Sequence, residues 1–288
     1  MSASPVTINL DGHEFPLKRE HDLAWLKDLG RVSAVFPLQD SGNLCFGVKN
    51  GQKQLFVKYA GAETVNYPGN PQQAIERLKR AVSAYTDLRH PVLVHLEDSF
   101  ATQQGYTLVF SWNSGQSLVD PRFIGPDKLK HPQSPFRRFR QLSVEQRLDV
   151  LDKIYDFHVF AERQGYVAVD FYDGCLLYNF SAHTVTICDI DLYHKGPLEN
   201  TMGRMWGSSR FMAPEEFQMG ARIDYITNVF NMGATAFVLL GGQKDRSLAR
   251  WEASEPLFHV ATTAISPERN RRHGSVRQFV EQWQQARL

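Results

Sequence analysis

Cysteine is scarce in this chain: three residues among 288, at positions 45, 175 and 188, none in CxxC spacing. That excludes a disulfide-framed scaffold and a cysteine-based zinc site, and it suits a reducing compartment. Charge of one sign is missing too, with 32 Lys and Arg against 31 Asp and Glu for a net +1. A whole-surface polyanion binder is thereby excluded, and no nucleic-acid partner is expected. Long hydrophobic runs are absent, the longest, Ala234 to Leu240, being far too short to span a bilayer. Met1-Ser2-Ala3-Ser4-Pro5 has neither a basic n-region nor an apolar h-region, so the expectation is a soluble, cytoplasmic protein with no membrane partner. No internal repeat or low-complexity tract is evident, and the oligomeric state leaves no signature.

With 42% hydrophobic residues, the chain can bury a sizeable core. Residues 1–30 read as an N-terminal extension, with a strand at Val6 to Leu10 and a short helix around Leu23 to Leu29. Strands are then predicted over Arg31 to Leu38, Leu44 to Lys49 and Gln54 to Tyr59, the last two joined by Asn50-Gly51, a type I′ hairpin signal. Asn70 and Pro71 open a helix whose apolar stripe is Ile75, Leu78, Val82, Tyr85 and Leu88. Strands near Val92 to Phe100 and Tyr106 to Phe110 follow. Past Ser111-Trp112-Asn113 the chain turns helix-rich, which places a boundary between 31–113 and 114–288. Phe136-Arg137-Arg138-Phe139-Arg140 is a local basic cluster in a Pro-rich connection, a match for an acidic segment or phosphate in one reading and, in the favoured one, a solvated linker. Ser143-Val144-Glu145-Gln146 is a capping box opening a helix with Leu148, Leu151, Ile154, Phe157 and Phe160 at helical spacing.

Two carboxylates nineteen residues apart carry the chemistry. Asp170 follows Val167-Ala168-Val169, and Asp189 follows Val185-Thr186-Ile187-Cys188. Between them Leu176-Leu177-Tyr178 and Val185-Thr186-Ile187 read as a hairpin, which would bring both acids to one mouth. Converging carboxylates suit proton acceptance and Mg²⁺ ligation, while the alternative for either one alone is an ordinary turn aspartate.

The order of landmarks resembles a protein kinase catalytic domain. Leu55-Phe56-Val57-Lys58 stands where the family has its strand lysine, and Leu88-Arg89-His90-Pro91 follows the helix as it does there. Asp170 matches the catalytic-loop aspartate and Asp189-Ile190-Asp191 the metal-binding motif. Gly207-Ser208-Ser209-Arg210-Phe211-Met212-Ala213-Pro214-Glu215 matches the end of the activation segment. The resemblance, over roughly residues 32–285, implies an α+β, two-lobed fold with a small β-rich N-lobe and a larger helical C-lobe. It implies ATP and Mg²⁺, or Mn²⁺, as cofactors and a Ser/Thr protein as the acceptor. Lys58 would meet the α- and β-phosphates, Asp170 would take the acceptor proton, and Asp189 would hold the metal, with Asp173 or Asp191 as further oxygen donors. Gly42, in the one-glycine loop after the first strand, is the candidate phosphate cradle, with a plain hairpin turn as the equal alternative. Phe110 would gate the adenine pocket beside the backbone of Ser111, Trp112 and Asn113. Ser208 would face the catalytic aspartate, and Glu215 would pair with Arg271 or Arg272.

Departures from the family accompany these matches. Ala168-Val169 replaces His-Arg, Tyr172 a lysine, Cys175 the metal-binding asparagine, and Asn228 the aspartate of the buried helix; Ala81 stands where the helix glutamate should pair with Lys58. A thiol is a poor Mg²⁺ ligand. Two readings therefore stay open: a Ser/Thr kinase-like phosphotransferase, with a small-molecule kinase as its sub-variant, and a pseudokinase that binds nucleotide or scaffolds.

Overall fold

In the computed structural model, which describes residues 4–288, the chain is mixed α+β and divides into two compact units. One runs up to Arg89 and includes Val94–Asn113; the other comprises His90–Leu93 and Ser114–Leu288.

The first unit is built on antiparallel strands. β1 (Val6–Leu10) and β2 (His13–Leu17) form a separate hairpin, followed by a 3-10 turn at Ala24–Asp28. β3 (Arg31–Phe36), β4 (Asn43–Asn50) and β5 (Lys53–Ala60) lead to helix α1 (Pro71–Asp87), then to β6 (Leu96–Ala101) and β7 (Tyr106–Ser111). Sheet order is β3-β4-β5-β7-β6. Phe15, Leu17, Leu23 and Leu26 share one core with Val32, Leu44, Phe46 and Val57, so the segment read as an extension is part of this unit's interior. The β4–β5 hairpin forms, one residue later than Asn50-Gly51 predicts. Asn50 pairs with Lys53, and Gly51 (φ +57°) takes the first turn position while Gln52 stays out of the left-handed region, the pattern of a type II′ turn. On α1 the buried residues are Ala74, Leu78, Ala81, Ala84 and Tyr85, a face rotated from the expected stripe so that alanines meet the sheet and Ile75 and Val82 sit at its edge.

In the second unit β8 (Gln116–Ser117) precedes the short helices α2 (Asp127–Lys130) and α3 (Pro135–Arg140) and the long α4 (Val144–Arg163). The segment read as a solvated linker is therefore helical and anchored. Phe136 and Phe139 are both fully buried, and Arg140 donates to the Val238 and Gly241 carbonyls at 3.0 and 2.8 Å. Phe at a three-residue interval in one short helix places both rings on one inward face, which the eye misses when it reads the run as charge. Ser143 and Gln146 make the predicted reciprocal cap on α4.

β9 (Tyr166–Val167), β10 (Leu176–Asn179) and β11 (Thr184–Ile187) come next, then the two-residue strands β12 (His194–Lys195), β13 (Leu198–Glu199) and β14 (Arg222–Ile223). α5 (Tyr225–Leu240), α6 (Glu255–Ala264) and α7 (Val276–Arg287) complete seven α-helices among the described residues. α6 has no counterpart in the sequence reading, and the chain beyond Pro267 forms a 3-10 turn at Arg269–Arg271 followed by α7. α5 is buried nearly all round, as a helix rich in Ala, Val, Phe and Leu at the centre of a unit must be. No helix among the described residues is long and apolar enough to cross a membrane.

Phe139→Ala is expected to destabilise the protein by about 3–5 kcal/mol, the range for emptying a buried aromatic site. Ile124→Ala, at a residue 72% exposed, should stay within about 0.5 kcal/mol of wild type. Denaturant melts of the two variants measure the contrast.

Candidate active site

The expected hairpin between the two aspartates forms in register, with Leu176 opposite Ile187 and Tyr178 opposite Val185. The Cys188 N–H extends the pairing one step, donating to the Cys175 carbonyl at 2.8 Å. Asp170 and Asp189 flank this hairpin, and both sit in the left-handed region, at φ +63° and +61°. Aspartate tolerates that region better than most residues but at a cost, so two such residues flanking one hairpin mark a place where the surroundings over-determine the backbone.

Their charges converge on one point. Burial first, then the charges of Asp189 and Asp170, push the Cys175 thiol well above its ordinary pKa. The same two aspartates add to burial in raising the Tyr193 phenol. Cys175 Sγ lies 3.4 Å from the Asp170 carbonyl oxygen. Cys175 is thus a buried, protonated thiol against the Asp170 backbone, with no hard oxygen to offer a metal.

Asp170 rests on a buried aromatic platform. Phe171 meets His158 edge-to-face at 4.4 Å between ring centres. His158 Nδ1 lies 2.7 Å from the Ile154 carbonyl, which fixes the proton there and leaves Nε2 to accept from the Tyr193 hydroxyl at 2.8 Å. Complete burial pushes this imidazole down to about 4, so it is neutral. His158 and Tyr193 were missed from sequence, since a histidine in an amphipathic helix carries no signal of its own.

The strand into Asp170 is held from α5. The Asn228 side chain accepts from the Ala168 N–H at 2.8 Å and donates to the Ala168 carbonyl at 2.7 Å, so one asparagine clasps both sides of one residue. Next along the chain, Gly207 (φ +126°) packs against Asp170: a Cβ there would stand 3.4 Å from Asp170 Oδ1. Ser208 Oγ accepts from Arg210 Nε at 3.2 Å.

Asp173, a candidate metal ligand from sequence, is fully buried and gripped by cations. Arg210 makes a two-pronged bond to it at 2.7 and 2.9 Å, and Lys128 adds a third contact at 2.7 Å. Both its oxygens are committed, which turns it from ligand into anchor. Lys128 and Arg210 were not foreseen; Lys128 lay in the connection whose helices were unassigned. Asp191 is 8% exposed, which removes the solvent-facing alternative, while Asp189 is exposed. Among the described residues no three of His, Cys, Asp and Glu cluster as a metal cage. Asp189, with Asp191 two residues on, fits a hard cation that completes its shell with phosphate and water, as Mg²⁺ does; Cys175 does not fit it.

The remaining candidates lie in the first unit. Lys58 is 6% exposed on the central strand β5, opposite Cys45 of β4 and Leu108 of β7. Ala81 is 2% exposed on α1, Glu76 is exposed and bonded by Gln72, and Glu63 faces Arg19 at 3.4 Å. Gly42 (φ +80°) has a packing explanation: a Cβ there would strike the Tyr67 ring at 2.6 Å. Phe110 is buried, edge-on to Tyr85 at 4.9 Å. The N–H groups of Ser111 and Trp112 donate to the His95 and Gln54 carbonyls, so both are already committed within the fold.

Glu215 is buried and bound bidentately by Arg272 at 2.7 and 3.0 Å, with Arg269 and Thr227 adding to it. Of the two arginines expected, Arg272 is the partner; Arg271 pairs with Glu268 at the surface. Burial works to raise the Glu215 carboxyl, and the Arg272 bonds outweigh it and hold it below the ordinary value. Glu216 beside it is pushed up to about 7, chiefly by burial, although it accepts from the Ala213 and Asn231 N–H groups. No protein-family model matches the chain.

Arg272→Ala removes the bidentate, fully buried partner of the Glu215 carboxylate, leaving Arg269 and Thr227 on one of its oxygens, and should cost about 3 kcal/mol, whereas Arg271→Ala should cost at most about 0.5 kcal/mol; chemical denaturation tells them apart. Glu216 binds its proton more tightly folded than unfolded. Its contribution is therefore fully present below about pH 4.5 and is lost as pH rises through about 7. Relative to wild type, Glu216→Gln should gain stability on going from pH 5 to pH 8, on the order of 3 kcal/mol. A wild-type-minus-variant difference that is flat with pH would refute the assignment.

Proposed function

We propose that this protein is an ATP- and Mg²⁺-dependent phosphotransferase of the Ser/Thr protein kinase type, with a two-lobed kinase-like fold. The observation that carries the reading is the pair Asp170 and Asp189, both held in left-handed conformations around one hairpin, with their charges meeting at Cys175. One carboxylate packed against a glycine of the following segment suits the orientation and deprotonation of an acceptor hydroxyl. The other, exposed, suits a metal bridging phosphates. In this reading Lys58 neutralises the α- and β-phosphates, and the backbone beyond Phe110 meets the base. Ser208 and Glu215 belong to the segment that seats a protein acceptor, which favours a peptide hydroxyl over a small molecule. Mg²⁺, when bound, would be held by Asp189, with Asp191 nearby, and would offset the negative charge of the phosphates.

Two observations favour the second reading, a pseudokinase that binds nucleotide without transferring phosphate. Ala81 presents no carboxylate on the buried face of α1, and the Cys175 thiol offers no hard ligand. Turnover decides between the two.

Mg·ATP at 100 times its Kd should stabilise the protein by about 2.7 kcal/mol, read as a rise in melting temperature, and Asp189→Ala should remove the rise. Asp170→Asn should keep the rise while lowering phosphoryl transfer by about 10²–10⁴-fold. Nucleotide stabilisation with no transfer by wild-type protein would leave the pseudokinase; no stabilisation at all would sink both nucleotide-dependent readings.

A further inference from the structure

A cavity of about 390 Å³ opens in the second unit between α3 and the chain that follows α5, walled by Leu129, Phe136, Arg137, Arg140, Gln243 and Arg250 among others. We infer that this cavity is the docking site for an acidic segment of a peptide substrate; the inference rests on the phosphotransferase reading for the position of the acceptor hydroxyl at Asp170.

Three arginines, Arg137, Arg140 and Arg250, line the cavity against one acid, Asp245. Arg140 is paired with Glu252, which it shares with Arg147, and Arg250 leans on Asp245 at 3.4 Å with most of its side chain exposed. The Arg137 guanidinium bonds to the Lys130 carbonyl and has no carboxylate partner among the described residues. A carbonyl cannot neutralise it, so its charge is available to a ligand. Planar guanidiniums take carboxylates two-pronged, and the exposed apolar side chain of Leu129 suits the methylene stem of a glutamate.

The cavity is also tied to the candidate active site. Gln243, on its wall and strained at φ +64°, accepts from Arg210 at 3.0 Å. Arg210 holds Asp173, three residues beyond Asp170, and contacts Ser208, next to the glycine that packs against Asp170. Residues 207–210 thus lead from the glycine beside Asp170 to the arginine that reaches the cavity wall, and a peptide with its hydroxyl at Asp170 and its course along them would carry acidic side chains toward that wall.

The test uses full-length protein and two fluorescein-labelled serine peptides identical except that the flanking residues are Glu in one and Lys in the other, titrated by anisotropy. The acidic peptide should bind at least about tenfold more tightly and weaken as salt is raised. The double variant Arg137→Glu/Arg250→Glu should reverse the preference. Should that variant fold poorly, Arg137→Gln/Arg250→Gln should still lower acidic-peptide affinity severalfold with the Lys peptide unchanged. Equal binding of the two peptides, or wild-type affinity in the neutral double variant, overturns the inference. Tighter, arginine-dependent binding to phosphatidylserine vesicles than to the acidic peptide also overturns it, in favour of a membrane surface. Binding is read without turnover, so selective binding with no phosphate transfer supports the docking site while removing the kinase reading, and transfer with no charge preference does the opposite.

Discussion

The clasp between the Asn228 amide and the peptide groups of Ala168 is the contact on which the candidate site hangs. α5 is apolar nearly all round, and its few polar side chains are the points where loops are tied to it. Asn228 holds the strand entering Asp170, Asn231 holds the Phe211 carbonyl and Glu216, and Thr227 holds Glu215. In a dry interior an unmade hydrogen bond costs about 1–3 kcal/mol, so each tie is a constraint on where its loop can lie. The two stretches that carry Asp170 and the 207–215 segment are thus referenced to one rigid helix.

Around that helix, buried rings and buried ion pairs fix the loops. Beneath the loop that follows Ala168-Val169, the support comes from His158, Tyr193 and Phe171, packed as buried rings. Three residues after Asp170, Asp173 ties the loop to Lys128 and Arg210. Ionic anchoring fixes the loop through charge, which makes the buried carboxylate depend on both cations. A buried Asp with one partner removed is far more costly than one never placed there.

The first unit shows a different economy, in which small residues serve packing. Gly42 lets the chain lie against Tyr67, and Ala81 and Ala84 let α1 approach the sheet. A glutamate at position 81 would have to bury its charge on that same face. The absence of the helix carboxylate is therefore part of how α1 seats, and it follows from the packing as much as from any change in chemistry.

Much of this was legible in sequence because it is local. Period-2 alternation and turn residues located β3, β4, β5, β10 and β11; Ser143 with Gln146 started α4; the spacing of Asp170 and Asp189 placed them on either side of one hairpin. The hydrophobic pattern of α1 was read one step off, because alanine is nearly silent in such patterns yet packs closest. What only the tertiary structure decided is which partners the charges found. Arg272 rather than Arg271 reached Glu215, Asp173 was claimed by Lys128 and Arg210, and Phe136-Arg137-Arg138-Phe139-Arg140 folded onto the end of α5. Backbone propensity is set by neighbours within a few residues, whereas a side chain's electrostatic partner is set by residues 37 to 105 positions away brought within 3 Å, as Arg210 with Asp173 and Arg147 with Glu252 show, and no short-range pattern encodes that.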